Sequence, residues 1–385
     1  MYAPDNMVAM FVQSLIILAS SAFILVAALY FGINNSADPE IEYPKDFEML
    51  LLPDKEQTNL PDIYYIILDE YAGADSLEKN FNFDNIEFIS ELSQRGFFIP
   101  SKSYSNYPFT VMSIPSSLNM QYLNFFSEEL GTENTDLDPI REILEKNLVM
   151  NNLSSNGYYI VSFFGGTEAI GSKKFVDEKI CGDNYYLNEI KSILTPAETY
   201  QEKRNEILCT FDEIGNVKER ISQPMFVFAH ISIPHKPFVF DENGDSQMID
   251  YNDLDDSTKK KFYLQQLKFA NKMTIRTIDE IFVKSETDPI IIIQSDHGER
   301  TGINWDEPTE DMIKQGLNNL NAYYFPNEKK NKLYDNISPI NTFRIIFNEY
   351  FDSDFELLDD RYYWMKSDKK PYDVKDVTEI IDRFG

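Results

Sequence analysis

The stretch DIYYIILDE at residues 62–70 joins a run of apolar, β-branched and aromatic residues to two carboxylates at its end. This run predicts a buried strand, because it is apolar throughout and too short for a typical helix. Similar runs occur in MFVFAHI at residues 225–231 and PIIIIQSD at residues 289–296, with helix-like stretches between them. Strands that alternate with helices predict an α/β fold, with a mostly parallel central sheet flanked by helices on both faces.

Other patterns extend this alternation along the chain. Two more strands are predicted in YYIVSFF at residues 158–164 and LNAYYF at residues 320–325. Helices are predicted at residues 86–95, from residue 110 onward, and at 197–222 and 257–285. A further helix is predicted to end near residue 157, and another lies in SPINTFRIIFNEYF. Together these elements predict one domain over residues 62–351, after a linker rich in Asn, Pro and acids at 35–61. An acidic, Tyr-rich extension of the same domain is predicted at residues 352–385, without a prediction of its place in the fold.

The N-terminal residues differ in kind from the rest. No charged residue occurs at positions 7–33, and the run VQSLIILASSAFILVAALYFG is long enough to span a bilayer as a helix. A buried core helix of this length would show a polar stripe. A cleaved signal peptide would have a basic start and a shorter apolar run, and MYAPDN contains no Lys or Arg. We therefore predict a transmembrane anchor at residues 1–34, with the other two interpretations as alternatives.

The charge balance excludes one class of partner. The chain has 35 basic and 64 acidic residues, for a net charge of -29. Nucleic-acid binding depends on Lys and Arg that neutralise phosphates, so we predict no nucleic-acid partner. An acidic surface also repels anionic substrates at long range. A site for a phosphate or sulfate ester would need local positive charge, and a divalent cation is the obvious source.

Three polar clusters lie where predicted strands end, and they contain all three histidines. Asp69 ends the first strand, His230 and His235 lie in and just after MFVFAHI, and Asp296 and His297 follow IIIIQS. Sites in open α/β sheets form at the carboxyl ends of the strands. Carboxylates and imidazoles are ligands for Zn²⁺ or Mn²⁺, so Asp69, Asp296 and His297 predict a metal site. A solvated acid or a helix cap is the alternative for Asp69 alone.

Thr110 lies at the predicted start of a helix in SNYPFTVMSIPSSLNM. Helix N-termini favour anions, and a hydroxyl there becomes a nucleophile when a metal lowers its pKa. The alternative is that Thr110 only caps the helix.

Cys181 and Cys209 are the two cysteines of the chain, and no CxxC motif occurs. This excludes a zinc ribbon or a thioredoxin motif. A disulfide between them would require an oxidising compartment, and spacing alone leaves both states open.

Several motifs resemble a known family. PDIYYIILDE, SNYPFTVMSIPSSLNM, FVFAHISIPHKPF, IIIQSDHGER and LNAYYFP have the order and spacing of the sulfatase-like branch of the alkaline phosphatase superfamily. Within this branch the chain resembles lipoteichoic acid synthases and phosphoethanolamine transferases. The resemblance covers about residues 62–350 and implies an alkaline phosphatase-like fold.

The resemblance also implies a set of site residues. One divalent metal, with Mn²⁺ or Zn²⁺ expected and Mg²⁺ or Ca²⁺ as alternatives, would be held by Asp69, Thr110, Asp296 and His297. Thr110 would be the nucleophile, in a T-x-x-S-x-P pattern that TVMSIP satisfies.

Residues around the transferred group follow from the same resemblance. His235 would contact that group or protonate the leaving oxygen. Lys236 and Asn106 are further candidates for substrate binding. His230 matches less clearly, with a structural hydrogen-bonding role as the alternative.

Two differences from the motifs of the superfamily narrow the expected chemistry. Sulfatases carry Cys or Ser in C/S-x-P-x-R, and SIPSS supplies Ser113 and Pro115 but has Ser117 in place of Arg. Formylglycine formation is therefore not expected. Three histidines in total also cannot easily build a second metal site.

The function that follows is a membrane-anchored phosphotransferase or hydrolase. It would act on phosphate esters of lipid headgroups or of glycans and polyols. The resemblance implies that the catalytic domain lies on the extracytoplasmic side of the cell membrane. The alternatives are a sulfuric ester hydrolase with the same site and a non-catalytic protein that binds glycan or lipid.

Overall fold

A central sheet organises the described residues, with strand order β3–β2–β4–β1–β5–β6. Its strands are β1 (Ile63–Leu68), β2 (Tyr159–Phe163), β3 (Glu178–Ile180), β4 (Met225–Ile231), β5 (Ile290–Gln294) and β6 (Asn321–Tyr324). All neighbours pair in parallel except β5 and β6, which are antiparallel. The predicted mostly parallel α/β sheet is confirmed.

Helices cover both faces of this sheet. They are α1 (Ala74–Phe81), α2 (Ile86–Gln94), α3 (Thr110–Asn119), α4 (Phe125–Leu130), α5 (Asp138–Glu145), α6 (Leu148–Ser155), α7 (Pro196–Ile214), α8 (Asp256–Lys284), α9 (Glu310–Leu317), α10 (Thr342–Tyr350) and α11 (Thr378–Asp382). The helix predicted at residues 197–222 ends earlier, because Gly215 follows Ile214 and a short 3-10 turn occupies Val217–Arg220.

The two faces of β1 have different partners because side chains alternate along a strand. Tyr64, Ile66 and Leu68 share one core with buried residues of α2, α7 and α8. On the opposite face, the Tyr65 ring lies 5.2 Å from that of Phe343 in α10. Helices α3 and α6 also lie on this second side, where α3 contacts α10 and α6 contacts β2. Burial on both faces explains why β1 is apolar throughout.

The C-terminal extension forms a small unit of its own. Strands β7 (Tyr363–Met365) and β8 (Val374–Asp376) pair as an antiparallel hairpin, and α11 follows them. The hairpin packs through Trp364 against α9, in a cluster that includes Ile313 and Leu317. The extension is therefore folded onto the domain rather than appended to it.

Part of the predicted linker also packs on the domain. Leu50 and Leu52 are buried, and the Asn152 side chain donates to the Leu50 carbonyl and accepts from the Leu52 amide. These contacts attach the chain to α6 before β1 begins.

The computed structural model describes part of the chain only. The described residues are 50–52, 60–163, 175–181, 196–247, 249, 254–326 and 329–383. Within them, no helix combines the length and the apolar character that crossing a bilayer would require. The transmembrane anchor predicted at residues 1–34 lies outside the described residues and stays a prediction.

Cys181 and Cys209 form a disulfide, with their Cα atoms 5.7 Å apart. The bond joins the residue after β3 to the middle of α7 and closes a sequence separation of 28 residues. The alternative that the sequence left open is thus decided in favour of a bonded pair.

We expect replacement of both cysteines by serine to lower the free energy of unfolding by about 2 to 4 kcal/mol, because the unfolded chain regains the freedom of the closed loop. Chemical denaturation of the native and variant chains would measure this change. A native chain that shows two reactive thiols before unfolding would contradict the disulfide.

Candidate active site

The register of three strands brings the predicted ligands to one place. Ile67 of β1 pairs with His230 of β4 on one side and with Gln294 of β5 on the other. Asp69 and Asp296 each lie two residues beyond a member of this row, so alternation directs them to the same face as His230. This is the face that α3 covers. The sequence prediction that the polar clusters share one sheet edge is therefore confirmed.

Asp69, Asp296 and His297 are close enough to share a metal ion. One ligand atom from each lies within 4.8 Å of the others, and all three residues are buried. His297 Nε2 is 3.3 Å from Asp296 Oδ2 and 3.8 Å from Asp69 Oδ1. Two carboxylates and an imidazole are a donor set that suits Zn²⁺ or Mn²⁺.

One buried oxygen supports a cation at this point. Asp69 Oδ1 has no hydrogen-bond partner among the described residues, although buried acceptors are normally paired. Burial raises the pKa of the Asp69 carboxyl well above its ordinary value, and the neighbouring Asp296 charge raises it further. Burial also acts on Asp296, but the nearby His297 and His230 rings hold the pKa of Asp296 below its ordinary value. A metal ion would satisfy Asp69 Oδ1 and offset the repulsion between the two carboxylates.

Thr110 faces this cluster from the first turn of α3. Its Oγ1 donates to Asp296 Oδ2 at 2.5 Å and lies 3.3 Å from His297 Nε2. The residue at the cap position is Phe109, so Thr110 does not act as the helix cap that the sequence left as an alternative. Thr110 is also partly exposed, whereas Ser113 on the same helix is buried and donates to the Asp296 carbonyl. Of these two hydroxyls, only Thr110 is accessible to a substrate.

The orientation of His297 is set by the backbone. Its Nδ1 lies 2.9 Å from the Gly298 carbonyl, so Nδ1 carries the hydrogen and Nε2 directs a lone pair toward the carboxylates. Gly298 must be glycine, since a Cβ there would lie 2.1 Å from the Gln315 carbonyl oxygen. This close approach fixes the loop that carries Asp296 and His297.

His235 lies on a loop that two long side chains hold in place. Gln266 of α8 donates to the carbonyls of Pro234 and His235, and Lys203 of α7 donates to Ser232 Oγ and the Lys236 carbonyl. Neither Gln266 nor Lys203 is marked by any motif, because each lies in the middle of a long helix. Burial lowers the pKa of the Lys203 amine to about 8, although neighbouring carboxylates oppose the shift.

The His235 ring itself is neutral. Its Nδ1 lies 2.5 Å from the Lys236 carbonyl, and its Nε2 lies 3.2 Å from an Arg300 Nη2. Nε2 therefore accepts a hydrogen bond in this arrangement. Burial lowers the pKa of His235 to about 3, although the Glu70 carboxylate favours the charged form.

Glu70 and Arg300 also lie at the site, although the sequence motifs that contain them predicted no role for either residue. Glu70 has a left-handed backbone, with φ of 62°, and its N–H donates to Asp296 Oδ1 at 3.1 Å. Its carboxylate accepts from the Arg300 backbone N–H at 3.0 Å. Burial opposes the charged form, but the Arg300 guanidinium lowers the pKa of Glu70 to about 2.

The two remaining substrate-binding candidates differ in position. Asn106 is fully buried, and its amide oxygen accepts from the Ile340 N–H while its amide nitrogen donates to the Arg361 carbonyl. Both ends of its side chain are thus occupied by backbone, so we do not retain Asn106 as a substrate-binding residue. Lys236 is exposed next to His235 and stays a candidate.

An aromatic stack supports the start of α3. The Phe109 ring lies 4.6 Å from Trp305, and Trp305 lies 4.8 Å from Trp364 of the C-terminal hairpin. The Arg300 guanidinium lies 5.2 Å above the Phe109 ring. The extension that the sequence left unplaced therefore forms part of the support for Thr110.

Comparison with known proteins agrees with this geometry. The sulfatase family model matches residues 61–345. The chain therefore belongs to the sulfatase family, and its domain is a sulfatase-like hydrolase or transferase domain of the alkaline phosphatase superfamily. No curated protein matches the chain.

Solved structures with the same fold include both transferases and a sulfatase. The periplasmic domain of EptC from Escherichia coli is 13% identical with a TM-score of 0.56, over 85% of this chain and 96% of that one. The integral membrane lipooligosaccharide phosphoethanolamine transferase A from Neisseria meningitidis is 14% identical with a TM-score of 0.53, over 90% of this chain and 65% of that one. A Bacteroides thetaiotaomicron sulfatase, described for glycosaminoglycan metabolism, is 13% identical with a TM-score of 0.52, over 80% of each chain. At these identities the likeness shows the fold alone.

We expect Asp296→Asn to weaken Zn²⁺ or Mn²⁺ binding by more than about a hundredfold, because it removes a charged ligand and leaves the buried Asp69 beside a neutral amide. Metal content after dialysis, measured by elemental analysis, would show about one ion per native chain and far less in the variant.

Asp288→Asn is the matched control, because Asp288 is exposed in the loop before β5. Equal metal retention by all three proteins would contradict the assignment of the ligands.

Proposed function

We propose that this chain is a membrane-anchored phosphotransferase or phosphohydrolase that uses Thr110 as its nucleophile. Its substrate would be a phosphate ester of a lipid headgroup, a glycan or a polyol. The observation that supports this most strongly is the position of Thr110 Oγ1, 2.5 Å from Asp296 Oδ2 and 3.3 Å from His297 Nε2. A partly exposed hydroxyl held among metal-ligand side chains, at a helix N-terminus, is suited to attack on an anionic ester.

Each residue of the site has a distinct task in this proposal. Asp296 Oδ2 orients the Thr110 hydroxyl, and the free N–H groups of the first turn of α3 favour the negative oxygens of the substrate. Asp69, Asp296 and His297 would hold one divalent ion, which would neutralise charge on the phosphoryl group and favour the ionised form of the hydroxyl. Thr110 Oγ1 forms a bond to phosphorus as the bond from phosphorus to the leaving oxygen breaks. The Thr110 proton passes to solvent, and the leaving oxygen takes a proton from solvent and departs as the alcohol. An acceptor alcohol or water then releases the phosphoryl group and restores Thr110.

His235 is the candidate proton acceptor for the second step. Its Nδ1 hydrogen is directed at the Lys236 carbonyl, so Nε2 carries the lone pair, which would accept a proton of the acceptor alcohol or water once Arg300 Nη2, 3.2 Å away, no longer occupies it. In this tautomer Nε2 carries no hydrogen that it could donate to the leaving oxygen. The sequence predicted that His235 contacts the transferred group or protonates the leaving oxygen, and the hydrogen bonds of the ring support proton acceptance rather than protonation.

A sulfuric ester hydrolase is the second candidate function. The family match and the sulfatase among the similar structures favour it. The position of Ser113 weighs against formylglycine chemistry, because its side chain is buried and bonded to the Asp296 carbonyl.

We also propose that the domain lies on the extracytoplasmic side of the cell membrane. The Cys181–Cys209 disulfide supports this location, since such bonds persist in oxidising compartments. The apolar run within residues 1–34 would provide the anchor.

We expect Thr110→Ala to lower kcat/KM for an aryl phosphoester by at least about a thousandfold, because the variant lacks the attacking oxygen. Metal content should stay near one ion per chain, since Asp69, Asp296 and His297 remain. Turnover by the full chain, purified in detergent, would be measured beside Ser113→Ala, which removes a hydroxyl from the same helix. Undiminished turnover in Thr110→Ala would exclude the covalent step.

Product analysis separates transfer from hydrolysis. We expect glycerol or ethanolamine, added to the native enzyme with a phosphoester donor, to yield a new phosphoester at the expense of inorganic phosphate. The reason is that the added alcohol and water compete for the same phosphoryl group. A parallel assay with an aryl sulfate tests the second candidate function. Faster cleavage of the sulfate than of every phosphoester would overturn the preference for phosphate.

A further inference from the structure

Arg300 is a cation in direct contact with the residues around Thr110. Its side chain is about 20% exposed. Its Nε lies 3.5 Å from Glu70 Oε1, and its Nη2 lies 3.2 Å from His235 Nε2. The guanidinium carbon lies 5.2 Å above the ring of Phe109, the residue that precedes Thr110. Arg300 therefore lies between the start of α3 and the His235 loop.

Some of the N–H donors of the Arg300 guanidinium make no hydrogen bond among the described residues. An arginine side chain carries five N–H groups, and the contacts to Glu70 and His235 involve only Nε and Nη2. Among the described residues, Nη1 has no hydrogen-bond partner. The hydrogen bond from Nε to Glu70 is also long, so electrostatic attraction to Glu70 contributes more to the position of the guanidinium than hydrogen bonding does.

Arg300 is a positive charge in surroundings that are otherwise strongly negative. The chain carries a net charge of -29, and Asp69, Glu70, Asp296 and Glu299 are all buried around the site. A divalent ion balances two carboxylates at most. Among the described residues, Lys203 and Lys236 are further cations near the site. The Lys203 amine already donates to Ser232 and to the Lys236 carbonyl, and Lys236 is exposed, whereas Arg300 directly contacts His235 and the ring of Phe109. Arg300 is thus the side chain best placed to attract an anion into this acidic surface.

We infer that Arg300 binds a nonbridging oxygen of the phosphate or sulfate group that enters the site, and so acts as an oxyanion-binding residue of this enzyme. That this anion is the reacting group of the substrate rests on the function proposed for Thr110. The planar guanidinium can contact two oxygens of one tetrahedral anion. Its contact with His235 would be exchanged for the anion on binding. The exchange would free His235 Nε2 to accept a hydrogen bond from the attacking acceptor.

The inference is tested with Arg300→Gln and Arg300→Lys in the full, metal-loaded chain. The readouts are KM, kcat and the inhibition constants of inorganic phosphate and inorganic sulfate. We expect Arg300→Gln to raise KM and the inhibition constant of the preferred anion by about tenfold to a hundredfold, because it removes charged hydrogen bonds to that anion. Arg300→Lys should recover part of the lost anion affinity, since lysine keeps the positive charge but lacks the planar pair of N–H donors. The anion whose inhibition depends more on Arg300 identifies the substrate as a phosphate or a sulfate ester.

Arg276→Gln is the matched control, because Arg276 forms ion pairs on the exposed surface of α8. It should leave all four quantities unchanged. Unchanged KM and inhibition constants in both Arg300 variants would overturn the inference. A loss of metal or of thermal stability in Arg300→Lys that accounts for its whole defect would also overturn it.

A binding assay keeps this inference separate from the proposed nucleophile. Calorimetric titration of inorganic phosphate into metal-loaded Thr110→Ala, with and without Arg300→Gln, requires no turnover. Weaker phosphate binding in the double variant supports the role of Arg300, even if Thr110→Ala remains active and the proposed nucleophile is wrong. Equal binding in the two proteins contradicts the role of Arg300, whatever Thr110 does.

Discussion

The structure around the site depends on two carboxylates that meet where water is excluded. Asp69 and Asp296 are both almost fully buried, and Asp69 Oδ1 has no hydrogen-bond partner among the described residues. Two negative charges in such a place repel each other strongly unless a cation lies between them. Parallel pairing of β1 with β5 makes the meeting unavoidable, because the register carries both residues to the same edge and face. A divalent ion is the simplest source of the positive charge that would offset the repulsion between Asp69 and Asp296.

Other features of the site follow from that constraint. His297 completes the donor set because the Gly298 carbonyl fixes its ring, and Gly298 is required because no side chain fits there. Thr110 reaches the same point from the start of α3, and the stack from Phe109 through Trp305 to Trp364 supports that helix from outside. The proposed catalytic groups are thus held by one end of the sheet and one packed helix, as accurate positioning requires.

The sequence predicted the parts of the molecule that depend on local pattern. Strand β4 was predicted at residues 225–231, because a fully buried strand is a continuous apolar run with visible ends. The proximity of Asp69, Asp296 and His297 was predicted, because parallel strands end at one edge, and their role as metal ligands stays a prediction. The roles of Lys203, Gln266 and Arg300 depend on contacts between distant segments, which a linear pattern does not encode. Asn106 illustrates the reverse case, since its place in a motif suggested substrate but its amide holds the backbone of Ile340 and Arg361.

The central claim is that one divalent ion is shared by the two buried carboxylates and Thr110, the proposed nucleophile. Anomalous diffraction from crystals of the Zn²⁺- or Mn²⁺-loaded chain tests it most directly, because it locates the ion without any assumption about substrate. We predict one strong peak at about 2.0–2.3 Å from oxygens of Asp69 and Asp296, from His297 Nε2 and from Thr110 Oγ1. A fully loaded protein whose ion lies elsewhere, or whose Thr110 points away from it, would contradict the account.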